Sequence, residues 1–339
     1  MKSKSLVVKV AVLLILLTAM GNVLFAGGQE ETAGKEAAEV LELKLGHLAD
    51  PLNPYALGAA RFAELVEERT NGQVVIKIFP SSQLGNAQKL IEGLILGTID
   101  FSLTTTAVLG QFEPKLLVFG FPYMMRDRDH AYKALDTIGM ELAESMEPKG
   151  LKVLCYMENG IRHMINNKRK LNSPDDMKGL KMRVMSTPVY IEMMKSLGAD
   201  PTPMAFGEVY SACQLNTIDG LECPAVHIWQ KRFYEVNKYI TLTGHTYESE
   251  PMMISMKTWD KLSPEVQNIM LDAANEACDY ARKIAVEQEA EYFQQILDSG
   301  KCAIDTVDTA PFAERTKIVW KILEDKVGKG LIEQIQAIE

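Results

Sequence analysis

The chain has 339 residues, of which 47% are hydrophobic and 24% are charged, as in an ordinary globular protein. This length allows two lobes, each with a core of its own. The formal net charge is −9 and no block of lysine or arginine occurs, which argues against a nucleic-acid partner. The five cysteines are widely spaced and odd in number, so they fit neither a disulfide framework nor a zinc pattern.

The first 26 residues have the pattern of a secretory signal peptide. Three lysines precede the apolar run 10–17, which is too short to span a bilayer, and Ala26 is a small residue suited to cleavage. Residues 27–40 are small and polar, which is typical of a flexible leader. We therefore expect a periplasmic protein, exported and cleaved near Ala26. The alternative is a short membrane anchor that is not cleaved.

The first part of the mature chain alternates between strand and helix patterns, which predicts an α/β lobe. In chain order the predicted elements are strand 41–45, helix 54–69, strand 74–79, helix 86–96 and strand 99–103. Ligands of such sheets bind beyond the carboxyl ends of the strands. His47, Asn86 and Thr105 follow or flank these strands, so we expect them near that edge.

A second α/β unit begins after Gly160. The predicted elements around and within it are helix 127–147, strand 151–157, strand 177–184, helix 188–197, helix 207–215, strand 217–222 and strands 239–243 and 252–256. We expect the last two strands to cross between the lobes. The turn Asn159-Gly160 comes shortly before Arg162, and glycine lets the chain turn sharply there.

One long helix follows. Ser263, Pro264 and Glu265 form a strong helix start, and Gly300 supplies the stop. About 36 residues at 1.5 Å per residue give a length of roughly 54 Å, more than one small lobe can cover. We expect this helix to pack across both lobes. A coiled-coil dimerisation helix is the alternative.

Local signatures of catalysis are missing from the sequence. It contains no nucleophile elbow, Walker loop, dinucleotide fingerprint or His-Glu-x-x-His motif. Its five histidines are not grouped at metal-ligand spacing. We therefore predict no catalytic residues, no metal and no cofactor.

The residues that remain are suited to binding an anion. Arg183 stands near the end of its strand and stays charged at any working pH, so it needs a partner if it faces a cleft. A carboxylate held by two parallel hydrogen bonds is the natural partner. The plain alternative is a surface strand with two solvated cations, Lys181 and Arg183.

Several segments taken together resemble the extracytoplasmic substrate-binding proteins of TRAP transporters, the tripartite ATP-independent periplasmic class. The matching segments occur in family order and are KLGH (44–47), FPSSQLGNAQKLIEGLILGTIDF (79–101), FPYM (121–124), ENGIRHMINNKR (158–169), DMKGLKMRV (176–184), LGADPTPMAFGEVYSACQLNTIDGLECP (197–224), FYEVNKYITLTGHTY (233–247) and WDKLSPEVQ (259–267). The resemblance covers the chain from Leu43 onwards.

This resemblance implies a periplasmic-binding-protein-like α/β fold. Two α/β lobes, joined by crossing strands and a long helix that spans both, would close on a ligand in the cleft. The implied lobes are 41–159 with 249–288 and 160–248 with 289–339.

The resemblance also implies roles for single residues. Arg183 would hold the ligand carboxylate bidentately, and Arg162 would be a second arginine of the cleft. Phe206 would pack against the ligand body. The residues expected to complete the ligand-binding set are His47, Asn86, Thr105 and Asn159. Glu208 and Glu222 would orient the arginines.

One position departs from the family pattern. Many relatives have asparagine where this chain has Cys223, and a thiol is a weak donor. The carboxylate would then sit differently, or another group would take that contact. The less polar Leu48 and Thr105 argue against sialic acid, and Gly-Ile-Arg-His at 160–163 favours sugar acids.

The expected ligand is an organic acid, a uronate or aldonate, with a dicarboxylate or keto acid as the alternative. The expected macromolecular partners are the TRAP permease subunits in the membrane, and the expected oligomeric state is a monomer. Two other classes of function remain open: an exported enzyme acting on acidic sugars, and a module that reports its ligand to a receptor.

Overall fold

The computed structural model describes residues 40–339, so the predicted signal peptide and nearly all of the predicted leader lie outside the described residues. Within this part of the chain, no helix is long and apolar enough to cross a membrane.

The strands of residues 40–339 join into one mixed sheet. They are β1 (Leu41–His47), β2 (Val74–Phe79), β3 (Phe101–Leu103), β4 (Leu151–Asn166), β5 (Lys181–Val184), β6 (Asp200–Pro203), β7 (Gly220–Pro224), β8 (Tyr239–Ser255) and β9 (Ala303–Thr306). Their order is β2-β1-β3-β8-β4-β7-β5-β6, and β9 pairs with the free side of β8. The sheet therefore has two halves that share β4 and β8.

The two long central strands connect the halves. The end of β8 at Met252 pairs with β3, while the end of β4 around Met164 pairs with β7. We predicted that the first strand covers only 151–157 and that the second is two separate strands, 239–243 and 252–256; both predictions are wrong. The strands run for 16 and 17 residues because the polar residues between their apolar ends are buried and bonded within the sheet. Gly160 pairs with Glu248 near the middle, beside a register shift, with a φ of 126° that favours glycine.

The helices of the described residues cover both faces of the sheet. They are α1 (Pro54–Arg69), α2 (Ala87–Leu96), α3 (Thr106–Leu109), α4 (Arg128–Ala134), α5 (Met140–Ala143), α6 (Pro188–Ser196), α7 (Val209–Gln214), α8 (Ala225–Gln230), α9 (Phe233–Val236), α10 (Met256–Trp259), α11 (Pro264–Asp298), α12 (Ala310–Val327) and α13 (Lys329–Gln336). The predicted bounds of α1 are met because Asn53 caps it and Pro54 occupies its first turn.

The segment predicted as one helix over 127–147 is broken in the structure. After α4 it passes through a π-helical stretch, Leu135–Gly139, then α5, and ends as a 3-10 helix over Glu144–Lys149. The Tyr156 hydroxyl donates to the Gly139 carbonyl at 3.0 Å. The prediction of a regular helix rested on sequence periodicity, which contains no information about tertiary contacts such as this hydrogen bond.

The long helix α11 has 35 residues and spans both halves, as predicted. Ser263 accepts a hydrogen bond from the Val266 amide at its start. Its first part, around Ala277, packs into the core of β1 and α1, whereas Ile296 near its end belongs to the core around β7. The fold is thus the predicted two-lobe α/β architecture. The exact lobe boundaries stay a prediction.

Candidate functional site

A cavity of about 160 Å³ lies between the two halves of the molecule. A cavity of roughly 150 Å³ admits a six-carbon ring, so a small organic molecule fits here. Both halves contribute polar groups to its wall. These groups include Asn86, Asn159, Arg162, Arg183, His227 and Glu250.

Two contacts close the cavity at its edges. Lys231, just after α8, donates to the Asp50 carboxylate at 2.6 Å. Gln111, just after α3, donates to the Ser186 carbonyl at 2.8 Å. Each contact joins a segment of one half to a segment of the other, so the described conformation is closed.

Arg183 is a buried cation on β5 without a carboxylate partner. It is 3% exposed, and its Nε and Nη2 donate only to the Met204 carbonyl, at 3.2 and 3.0 Å. Among residues 40–339 it forms no salt bridge. Burial lowers the pKa of Arg183 to about 10, against the opposing pull of Glu222, so the group stays charged at neutral pH. An unpaired buried cation is costly, which makes this position a site for an anion.

Arg162, on β4, is by contrast already neutralised. Its Nε pairs with the Glu222 carboxylate, and its Nη2 donates to Oε1 and to the carbonyl of Glu222 at 2.9 and 2.8 Å. Burial works against the charged form, but Glu222 outweighs it and raises the pKa of Arg162 above its usual value. The guanidinium also lies over the Tyr190 ring, 5.4 Å from its centroid. Arg162 is held rigidly and needs no ligand to balance its charge.

The aromatic and thiol groups predicted for the site also line the cavity. Phe206 lies under the Arg183 guanidinium, which is 5.7 Å from the ring centroid. This is within the range of a cation–π contact. Cys223 is 1% exposed, and burial raises the pKa of its thiol far above the usual range, so it stays a neutral thiol.

Asn86 and Thr105 line the cavity, and the side chain of each already makes a hydrogen bond within the protein. The Oδ1 of Asn86 accepts from the Lys89 amide at 3.0 Å as the N-cap of α2, which leaves its NH₂ group as the free donor. Thr105 donates its hydroxyl to Glu248. That Thr105 also meets the far end of a ligand stays a prediction.

Three residues predicted for the site lie outside the cavity wall. His47 is buried behind it, edge-on to the Tyr55 ring at 5.9 Å. Glu222 lies behind Arg162 and orients it, as predicted from the resemblance. Glu208 is exposed, and the structure gives its carboxylate no hydrogen bond to either arginine, so its expected orienting role is not met.

The residues of the wall that were not predicted include Tyr55, His227 and Glu250. The His227 Nε2 lies 2.8 Å from the Asn159 Oδ1, and the Asn159 Nδ2 donates to the Glu250 Oε1 at 2.7 Å. Burial, then Arg162, lowers the pKa of His227 to about 3, so the ring is neutral and its Nε2–H donates. The signal that could have found Glu250 is the pair of acids Glu248 and Glu250, two residues apart and directly before the apolar run 251–254.

Metal binding has no support in this part of the molecule. Within residues 40–339 no group of three or more His, Cys, Asp or Glu side chains could hold a metal ion. The arrangement instead offers one uncompensated cation, several neutral hydrogen-bonding groups and an aromatic ring. This combination is suited to one carboxylate attached to a polar body.

Comparison with known proteins agrees with this chemistry. The family model of the bacterial extracellular solute-binding proteins, family 7, matches residues 45–326. The 2,3-diketo-L-gulonate-binding periplasmic protein YiaO of Escherichia coli is 37% identical over 273 residues, which cover 80% of this chain and 83% of that protein.

Solved structures give the same result. A TRAP periplasmic solute-binding protein of Polaromonas sp. JS666, bound to D-erythronate, has a TM-score of 0.86 and 35% identity, covering 88% of this chain and 99% of that chain. Another from Sulfurospirillum deleyianum, with bound succinate, has a TM-score of 0.85 and 31% identity, covering 89% and 100%. The chain therefore belongs to family 7 of the bacterial extracellular solute-binding proteins, the substrate-binding proteins of TRAP transporters.

Proposed function

We propose that this protein binds a sugar acid, an aldonate or uronate, and delivers it to a TRAP permease in the membrane. The observation that carries the proposal is the unpaired, buried guanidinium of Arg183 at the cavity wall. Two of its five N–H donors are used by Met204, which leaves three for a ligand. Two charge-assisted hydrogen bonds of roughly 1.5–3 kcal/mol each would supply a large part of the ~8 kcal/mol that micromolar affinity requires.

The hydroxyl-bearing part of the ligand would meet the neutral polar wall. Asn86 offers its amide NH₂ group, and Asn159, His227 and Glu250 form a connected set. The relatives named for 2,3-diketo-L-gulonate and bound to D-erythronate are consistent with a sugar acid.

A dicarboxylate is the second candidate, favoured by the relative with bound succinate. It would need a second cation. In the described part of the chain, Arg162 and Arg183 are the cations of the cavity wall, and Arg162 is occupied by Glu222. The charge of the cavity thus matches one carboxylate better than two.

A ligand screen tests the proposal. Thermal shift over aldonates, uronates, keto acids and dicarboxylates, followed by calorimetry, should find a sugar acid bound with micromolar or tighter affinity. Arg183→Ala should weaken that binding at least a hundredfold, since two charge-assisted bonds are lost. Arg315→Ala, at an exposed ion pair, is the control and should bind normally. If Arg183→Ala binds the ligand with unchanged affinity, Arg183 does not bind the ligand carboxylate and the proposal is wrong.

We also infer that the protein binds its ligand without turnover. The neutral His227 ring is engaged with Asn159, which fits a positioning role better than proton transfer. After prolonged incubation, NMR should recover the bound acid unchanged. A new product that scales with protein concentration would contradict this and favour the enzyme hypothesis.

Export and assembly are proposals of the same kind. We infer cleavage near Ala26 and a monomeric mature protein. Intact-mass analysis of protein recovered from the periplasm should give a chain that begins close to residue 27, and light scattering should give the mass of one chain. A membrane-bound full-length chain, or a stable dimer, would refute the respective inference.

A further inference from the structure

Glu250 is a buried acid of the cavity wall that no feature of the carboxylate clamp requires. It lies on β8, is 2% exposed and lines the cavity from the strand that crosses between the halves. Its Oε1 accepts from the Asn159 Nδ2 at 2.7 Å, but its Oε2 is buried without any hydrogen-bond partner. Buried polar atoms are nearly always hydrogen-bonded, so this oxygen indicates a missing partner.

The direction of the Glu250 carboxyl is fixed from behind. His227 Nε2–H donates to the Asn159 Oδ1, and Asn159 donates in turn to Glu250. The chain of hydrogen bonds crosses from α8 through β4 to β8. Because the Asn159 side chain is held by His227 on one side and donates to Glu250 on the other, it keeps the Glu250 Oε1 in place and limits rotation of the carboxyl.

The surroundings of Glu250 contain no cation to pair with it. Within residues 40–339 it forms no salt bridge, and its ionisable neighbours include Glu248 and Arg162, the latter already bound to Glu222. The Tyr55 ring of α1 also lines the cavity. Burial and the neighbouring Glu248 raise the pKa of Glu250 well above its usual value. A neutral carboxyl of this kind can both donate and accept a hydrogen bond.

We propose that Glu250 determines ligand specificity, because its Oε2 binds a hydroxyl group of the ligand and selects a hydroxylated monocarboxylate over a dicarboxylate. This inference rests on the proposed function, since it assumes that Arg183 holds the first carboxylate. It adds a specificity-determining residue to the cavity wall.

The selectivity has a simple physical basis. A ligand hydroxyl can give and take a hydrogen bond at Oε2 without introducing charge. A second carboxylate at the same place would be buried beside Glu250 and Glu248 with no free cation, and burying an unpaired charge is costly. The site therefore tolerates one negative charge, at Arg183.

The first test uses the unmodified mature protein. D-erythronate and succinate have four carbons each, and they differ in having hydroxyls or a second carboxylate. Calorimetry at pH 7.5 should show D-erythronate bound at least thirtyfold more tightly than succinate. Equal affinities, or tighter succinate binding, would overturn the inference.

The second test uses Glu250→Ala and Glu250→Gln, with Glu208→Gln as the matched control at an exposed acid. Glu250→Ala should weaken D-erythronate binding at least tenfold and narrow its advantage over succinate. Glu250→Gln keeps a donor and an acceptor in place and should stay within about fivefold of the native affinity, as the hydrogen-bond contributions imply. Glu208→Gln should bind both ligands normally.

The outcomes separate this inference from the proposed function. If the native protein binds D-erythronate through Arg183 and Glu250→Ala keeps the native ratio of the two affinities, the role of Glu250 is wrong and the clamp stands. If no sugar acid binds the native protein at all, both the proposed function and the role of Glu250 are wrong. If the alanine variant does not fold, the comparison of D-erythronate with succinate on the native protein still decides, because it needs no variant.

Discussion

Arg162 and Glu222 form a fully buried ion pair in which the guanidinium donates to both the carboxylate and the main-chain carbonyl of Glu222, at 2.9 and 2.8 Å through Nη2. Arg162 lines the cavity from β4, and Glu222 lies behind it on β7, the strand paired with β4. The two arginines of the site therefore differ: Arg162 is paired with a carboxylate of the protein, whereas Arg183 donates only to the Met204 carbonyl and can bind an anion.

This difference predicts opposite effects on stability. Arg162→Met should lower the free energy of unfolding by about 3–5 kcal/mol, because it leaves Glu222 buried without its partner. Chemical denaturation without ligand measures the change. Replacing both residues, Arg162→Met with Glu222→Leu, should recover part of the loss. If Arg162→Met alone leaves stability unchanged, the pair does not have the structural role given to it here.

Arg183→Met should behave differently. It removes an unpaired buried cation that donates only to the Met204 carbonyl, so the free energy of unfolding should stay the same or rise. Ligand affinity should nevertheless be lost. Denaturation and calorimetry on the same preparation check both parts. A loss of stability as large as that of Arg162→Met would show that Arg183 has an internal anionic partner.

Sequence reasoning was sufficient where the signal is local. The bounds of α1 and the start of α11 follow from capping residues such as Asn53 and Ser263, which act within one turn. The extents of β4 and β8 were not predictable in this way. Their central polar residues resemble a loop until the partners that bury them are known.

The same limit applies to the site. The grouping of Arg162, Arg183 and Phe206 was predicted from the resemblance to a family. The link from His227 through Asn159 to Glu250 joins residues 68 and 91 positions apart. No local pattern encodes it, because each of these residues alone has an ordinary explanation. Glu208 was misplaced because its position beside Phe206 says nothing about where its side chain points.

The cysteines should be unreactive while the protein is folded. All five are free and buried, and burial raises the thiol pKa of Cys213, Cys223 and Cys302. The thiolate is the reactive form, so both access and ionisation oppose alkylation. Mass spectrometry after iodoacetamide treatment should show no adduct on the native protein and five after unfolding. Rapid labelling of Cys223 in the native protein would mean that the cavity opens readily.

The contact between Asp50 and Lys231 should control how fast a ligand leaves. The pair is 2.6 Å long and partly exposed, at 32% and 24% of the side-chain surface. Pairs of this kind contribute about 0.2–1 kcal/mol and are screened by salt. Lys231→Ala should therefore speed ligand release by no more than about fivefold, and high salt should remove the difference between the variant and the native protein. Stopped-flow displacement measures the rates. A larger, salt-independent effect would assign Lys231 to the ligand itself.

The raised pKa of Glu250 leads to a prediction of how the stability of the protein depends on pH. The groups around Glu250 are Glu248 on β8, Arg162 on β4, Tyr55 on α1 and His227 on α8. Burial, followed by Glu248, raises its pKa in the folded state well above 4.5. Between the unfolded and folded pKa values the folded protein holds the proton and the unfolded chain does not. The contribution of Glu250 to the free energy of unfolding therefore falls as the pH rises from about 4.5.

Glu250→Gln removes this titration. In the absence of ligand, the variant should be more stable than the native protein at pH 7.5, and the difference should shrink as the pH falls towards 4.5, where the unfolded chain also begins to take up the proton. Denaturation curves of the two proteins between pH 4.5 and 8 measure this difference directly. Glu208→Gln, at an exposed acid, is the control and should run parallel to the native protein. If the native protein gains on Glu250→Gln as the pH rises, Glu250 is ionised in the folded state and a cation must reach it.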